Sequence, residues 1–106
     1  MSMRPSTDFQ QRMTAAVEAL ATEVGILTKL QHVEGETESY CILELLRTTP
    51  SIKVYVYTQE AGFFEGNDWH IYERCDFDSP EELVRTLVSD MRSRLVSDAS
   101  PPPTQR

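Results

Sequence analysis

Ser51-Ile-Lys-Val-Tyr-Val-Tyr-Thr58 is the stretch whose reading decides the fold. Within it Ile52, Val54 and Val56 alternate with Lys53, Tyr55 and Tyr57, the period-2 pattern of a strand with two different faces. β-Branched and aromatic residues fit such a pleated, half-buried surface. The flanking sequence must then supply strands that pair with this one and helices that cover its aliphatic side.

Upstream, residues 40–47 read as a neighbouring strand, with Cys41, Leu43 and Leu45 on one parity and Tyr40, Ile42, Glu44 and Leu46 on the other. Pro50 cannot donate to a ladder and marks the boundary between the two. Residues 26–33 read as a further strand in preference to a continued helix, because Val24 and Ile26 flank Gly25; a polar turn follows at 34–39. Before them, Thr7-Asp-Phe-Gln10 is a capping box. Phe9, Met13, Ala16 or Val17, Leu20 and Val24 then recur at helical spacing, and Gly25 suits the position just past the helix end.

Downstream, residues 59–68 read as a loop containing Gly62 and Gly66, and residues 69–77 as the last strand. Its inward parity then holds Trp69, Ile71, Cys75 and Phe77, with Glu73 as an inward charge that suggests a bulge or the sheet rim. Asp78-Ser-Pro-Glu-Glu82 is a helix start: Ser79 as N-cap, Pro80 at the first helical position, and carboxylates at the positive end of the dipole. Leu83, Val84, Leu87, Val88, Met91 and Leu95 form its apolar stripe, and Arg92 and Arg94 are expected in its last turn.

These elements predict an α+β two-layer sandwich: an antiparallel meander of three to four strands with an N-terminal and a C-terminal helix on one face, in the order α-β-β-β-β-α. The expected single domain spans residues 7–97, between a disordered N-terminus (1–6) and a disordered Pro-rich tail (98–106). That tail also has the composition of a ligand for a proline-reading module.

The 106 residues carry a net charge of -7. That balance argues against nucleic acid as a partner, since a phosphate-backbone binder needs a basic stripe. The strand order invites comparison with double-stranded RNA-binding domains, but the second helix here opens with Pro80-Glu-Glu instead of a lysine cluster. No apolar run reaches membrane-spanning length, and the first residues lack the apolar segment of a signal peptide. A cytoplasmic location is therefore expected, with Cys41 and Cys75 as buried, reduced thiols. No glycine-rich phosphate loop, calcium loop or zinc spacing occurs, so no cofactor or metal is expected.

Two surfaces are candidates for binding. If helices cover the aliphatic parity, the opposite face should carry Tyr40, Tyr55, Tyr57 and Tyr72, with Ile42, Lys53, His70 and Arg74. An uncovered aromatic patch marks an interface, although tyrosines also suit half-exposed strands in their own right. In a meander the turn at 34–39 and the loop at 59–68 share one end of the sheet. That end should gather Glu34, Glu36, Glu38, Glu60, Glu65 and Asp68 around Phe63 and Phe64, an aromatic anchor with steering charges unless the rings fold back into the core.

The functional expectation is a small acidic, non-enzymatic module (of inhibitor, immunity or adaptor type) that docks on a protein partner of basic character. Self-association through the tyrosine face is one alternative. A small enzyme or ligand-binding domain using His70, Tyr57 and Tyr72 is another. Catalysis has little support, because neither His32 nor His70 stands at a recognised spacing from a serine or cysteine.

Overall fold

The computed structural model describes residues 7–48 and 51–99, with the side chains of 96–99 excepted. The expected disordered segment 1–6, the Pro50 boundary and the Pro-rich residues from 100 onward lie outside the described residues. The elements are α1 (Asp8–Glu23), β1 (Thr28–Glu34), β2 (Ser39–Leu45), β3 (Ile52–Val56), β4 (Ala61–Glu65), β5 (Asp68–Tyr72), a 3₁₀ turn at Arg74–Asp76, and α2 (Pro80–Ala99). The fold is α+β: one open antiparallel sheet in the order β1-β2-β3-β4-β5, with both helices packed on one face.

The sheet has five strands, not three to four. The segment expected as a loop forms β4, which pairs with β3 through Val54 opposite Phe63. Gly66 and Asn67 make the two-residue turn into β5, with Gly66 at φ 63. A positive φ at the first central position is what a type II′ hairpin needs, and glycine reaches it without strain.

The extra hairpin resets the last strand. Phe63 faces the helices, its register partner is His70, and Ala61 is opposite Tyr72. His70 and Tyr72 therefore lie on the helix side, while Trp69 and Ile71 lie on the open side, the reverse of the expected parity. The strand also stops at Tyr72, so Glu73 and Cys75 are exposed residues around the 3₁₀ turn and no longer strand positions. Cys41 is buried as expected, whereas Cys75 is exposed.

Five strands also fix the sense of the helices. The chain starts α1 at the end of the sheet that holds the 35–38 and 57–60 turns; this is the proximal end. An odd number of strands returns it to that same end before α2 begins. The two helices consequently run parallel. Their ion pairs show it: Arg12 bonds Glu81 near both starts, and Glu23 bonds Arg92 further along. Arg92 and Arg94 are thus mid-helix partners of other elements, not residues of the last turn, which carries no basic side chain.

Local chemistry explains the helix boundaries. The Thr7 N–H donates to Gln10 Oε1 at 2.9 Å and the Gln10 N–H to Thr7 Oγ1 at 3.1 Å, the reciprocal capping box. At the other end the Ile26 N–H donates to Ala21 O at 2.8 Å and the Gly25 N–H to Thr22 O at 3.1 Å. This Schellman arrangement requires the left-handed Gly25, at φ 79. The Glu82 N–H donates to Ser79 Oγ at 3.1 Å, which caps α2.

The core lies between Met13, Val17, Leu20, Leu83, Leu87, Met91 and Leu95 of the helices and Leu43, Leu45, Ile52, Val54, Val56 and Phe63 of the sheet. Gln10 is buried among them. Its Nε2 donates to Ser39 O at 2.9 Å, so the start of α1 is tied to β2. α1 covers β2 and β3, and α2 reaches β4 and β5 through Arg94–Glu65 and Tyr72–Asp90. β1 overhangs the helix layer.

Candidate functional site

The open face is built from the alternate residues of each strand, and its registers set them in rows. Val33, Tyr40 and Tyr57 form the row nearest the proximal end. Gln31, Ile42, Tyr55, Gly62 and Ile71 form the next, and Lys29, Glu44, Lys53, Phe64 and Trp69 the third. Gly62 leaves a gap in the middle row. The indole of Trp69 leans into that gap: a Cβ on Gly62 would stand 2.6 Å from Trp69 Cη2. Covering a strand glycine with a neighbouring aromatic ring restores the packing that the missing side chain forfeits.

Rings then touch across the face. Phe64 and Trp69 centroids are 4.6 Å apart, Tyr55 meets each edge-on at 5.8 Å, and Tyr40 lies 5.3 Å from Tyr57 and 6.4 Å from Tyr55. These separations are in the range of favourable aromatic pairs. The surface remains open to solvent, with Phe64 36 %, Trp69 38 % and Ile71 50 % exposed. Within the strands its charged residues are Lys29, Glu44 and Lys53. Apolar area of this kind, contiguous and uncovered, is what protein-binding surfaces present.

The carboxylates expected around it divide. Glu34, Glu36, Glu38 and Glu60 sit at the proximal end, beside Tyr40 and Tyr57, whereas Glu65 and Asp68 flank the Gly66 turn at the opposite end. Glu38 is also structural, since its Oε1 accepts from the Thr58 hydroxyl at 2.6 Å and the Thr58 N–H at 3.2 Å. Burial pushes the Tyr57 phenol above its ordinary pKa, and Tyr40, Tyr55 and Glu38 nearby add to the shift. The phenol therefore stays neutral and available as a donor. Phe63 is fully buried and Phe64 is on the open face, so the two do not form a loop anchor. One folds inward and the other faces out because a strand alternates.

The set His70, Tyr57 and Tyr72 is not brought together. Tyr57 is on the open side of the sheet, and the other two are on the helix side. There the Tyr72 hydroxyl donates to Asp90 Oδ2 at 2.5 Å, Phe63 stacks on Tyr72 at 6.0 Å and on His70 at 4.9 Å, and Arg94 Nε bonds Glu65 at 2.8 Å. His70 Nε2 is buried 3.8 Å from Glu65 Oε1 without a hydrogen bond. Burial first, and then the Asp90 contact, raise the Tyr72 pKa well above its usual value. This is a packed polar seam under α2, not an open cleft.

Three further features were not anticipated. His32 Nδ1 lies 3.4 Å from the Sγ of Cys41, its register partner, but that sulfur is buried. Cys75 is exposed, yet Asp76 beside it holds its thiol above the ordinary pKa and so in the less nucleophilic form. A cleft of about 690 Å³ opens where the two helix starts converge, lined by Thr7, Arg12, Thr58, Arg74 and Glu81. Its arginines are already engaged, Arg12 with Asp8 and Glu81 and Arg74 with the Phe77 carbonyl. Among the described residues no three His, Cys, Asp or Glu side chains come together to hold a metal, and no helix is long and apolar enough to cross a membrane.

Sequence reasoning missed Trp69 and Ile71 as open-face residues. The available signal was the dipeptide Gly66-Asn67 between two runs containing aromatics, which is a hairpin signature. No family model matches the chain, and neither a curated protein nor a solved structure matches it.

Proposed function

We propose that this chain is a non-enzymatic binding module that docks a protein partner on its open sheet face. One observation carries the reading: Tyr40, Tyr55, Tyr57, Phe64 and Trp69 make an unbroken ring-to-ring surface on a face that no described element covers. Tyrosine and tryptophan offer large contact area with little side-chain entropy to lose, which is why they dominate binding hot spots. Glu36 and Glu60, exposed or half-exposed at the proximal end, favour a partner that brings lysine or arginine to that border.

The experiment is a comparison of wild type with Tyr55→Glu and Trp69→Ala as baits in an extract of the native host. Proteins retained by wild type and lost by both variants, whose folding is checked by circular dichroism, support the reading. With such a partner purified, reversing Glu36 and Glu60 to lysine should slow association and flatten its salt dependence. Identical retention by all three baits removes the face from the account.

The exposure of Phe64, Trp69 and Ile71 on this face also favours a second reading, two copies packed back to back. In that case Tyr55→Glu lowers the sedimenting mass of the isolated protein.

A further inference from the structure

The outer strand β1 has properties independent of the aromatic face. It is one of the two edge strands of the described sheet, β5 being the other, and pairs without interruption with β2 from Thr28 opposite Leu45 to Glu34 opposite Ser39. It contains no proline or bulge, two of the devices that blunt an edge, and its charged residues are Lys29 and Glu34. The helix layer stops short of it, leaving Leu27 75 % and Leu30 40 % exposed.

Its backbone polarity can be read from the flanking bonds. Leu46 N–H donates to Leu27 O at 2.9 Å and Gly35 N–H to Glu38 O at 3.1 Å, so the odd-numbered residues turn their backbone groups toward β2. Thr28, Leu30, His32 and Glu34 consequently turn theirs away from β2, to the side on which no described strand pairs. Charge is polarised along the same hairpin. Glu34, Glu36 and Glu38 stand at the proximal end, while Lys29 (opposite Glu44) and Arg47 leave the other end with a net positive charge.

We propose that β1 pairs antiparallel with β1 of a second copy of this chain, about a twofold axis through Gln31. That register uses the whole strand. Leu30 of one copy exchanges backbone bonds with His32 of the other, and Thr28 with Glu34. No like charges stand opposite each other, since Lys29 faces Val33. The twofold also sets Lys29 and Arg47 of each copy beside the acidic turn of the other, which makes the edge complementary to itself. The two sheets become continuous, and both aromatic faces remain free on the same side. This inference does not depend on the proposed partner-binding role.

Sedimentation equilibrium on the full chain reads the mass, and a two-copy mass at micromolar concentration is expected. Gln31→Cys, in a Cys75→Ser background, should give an intermolecular disulfide on oxidation. The Cα atoms of that non-hydrogen-bonded pair would stand about 4.5 Å apart, within disulfide range. Leu30→Cys, whose counterpart is His32, should not cross-link. Glu36→Arg and Arg47→Glu should each weaken the dimer by about tenfold, because each contact occurs twice by symmetry. Combining the two substitutions should restore it, which a folding defect could not do. A wild type that is monomeric at concentrations of about 1 mM overturns the proposal. So does a dimer that Tyr55→Glu dissolves and Leu30→Lys leaves intact, which would assign self-association to the open face.

Discussion

The indole of Trp69 lies over Gly62, with Cη2 2.6 Å and Cζ2 2.8 Å from where a Cβ on that glycine would be, and with the His70 carbonyl 2.7 Å from the same point. Two of these three neighbours belong to a ring that can swing away. The third is backbone and cannot easily give.

Gly62→Ala should therefore expel the ring and strain the β4–β5 ladder, at a cost of about 1–3 kcal/mol typical of overpacking. Trp69 is the sole tryptophan of the chain, so its emission reports the event directly. A red shift with a lowered urea midpoint is expected. An unchanged spectrum would mean that the ring does not rest on the glycine.

Phe63 and Phe64 are adjacent in sequence and differ in fate. Phe63→Ala removes a fully buried ring and should cost about 3–5 kcal/mol. Phe64→Ala, on the open face with 36 % of the residue already exposed, should cost no more than about 2 kcal/mol. Urea unfolding of the two variants in parallel checks the ratio, and equal losses would contradict the assigned alternation.

Gln10→Met keeps the volume of a buried side chain and deletes its polar end. The Ser39 carbonyl and the Thr7 N–H each lose their bond to it. A loss of about 1–3 kcal/mol follows from leaving a buried polar group unsatisfied. Faster amide exchange in the first turn of α1 would locate the effect, and a variant as stable as wild type would show that water takes over both groups.

The Tyr72 phenol, donating to Asp90 and half-buried, is held above its ordinary pKa of 10.0. A group whose folded pKa is raised favours folding while protonated. Its contribution is complete below pH about 10 and is lost as pH climbs through the folded value. Stability measured from pH 8 upward should decline at the alkaline end, and Tyr72→Phe should flatten that part of the curve. A slope identical in the variant would assign the decline to other groups.

Much of this architecture was legible in the residues. Thr7 and Gln10, Gly25, and Ser79 with Pro80 announced the helix ends because capping is local chemistry, written within four positions of the chain. The strands through Val54 and Leu43 were legible because one side is aliphatic and the other is not. That signal failed at Trp69–Tyr72, where both sides are apolar or aromatic: the open face needs Trp69 and Ile71, and the core accepts Tyr72. Parity there is set by the length of the Gly66-Asn67 turn, not by hydropathy. The candidate surface was legible to the same extent. Tyr40, Tyr55 and Tyr57 followed from β2 and β3, while Phe64 and Trp69 depended on a strand taken for a loop.

An odd strand count has a mechanical corollary. Because α1 and α2 point the same way, tension applied between Thr7 and Ala99 draws them in opposite directions along their own axes. The Arg12–Glu81 and Glu23–Arg92 rungs are then strained together in shear, where helices of opposite sense would peel apart one rung at a time. The molecule should be stiffest along the direction in which its helices lie.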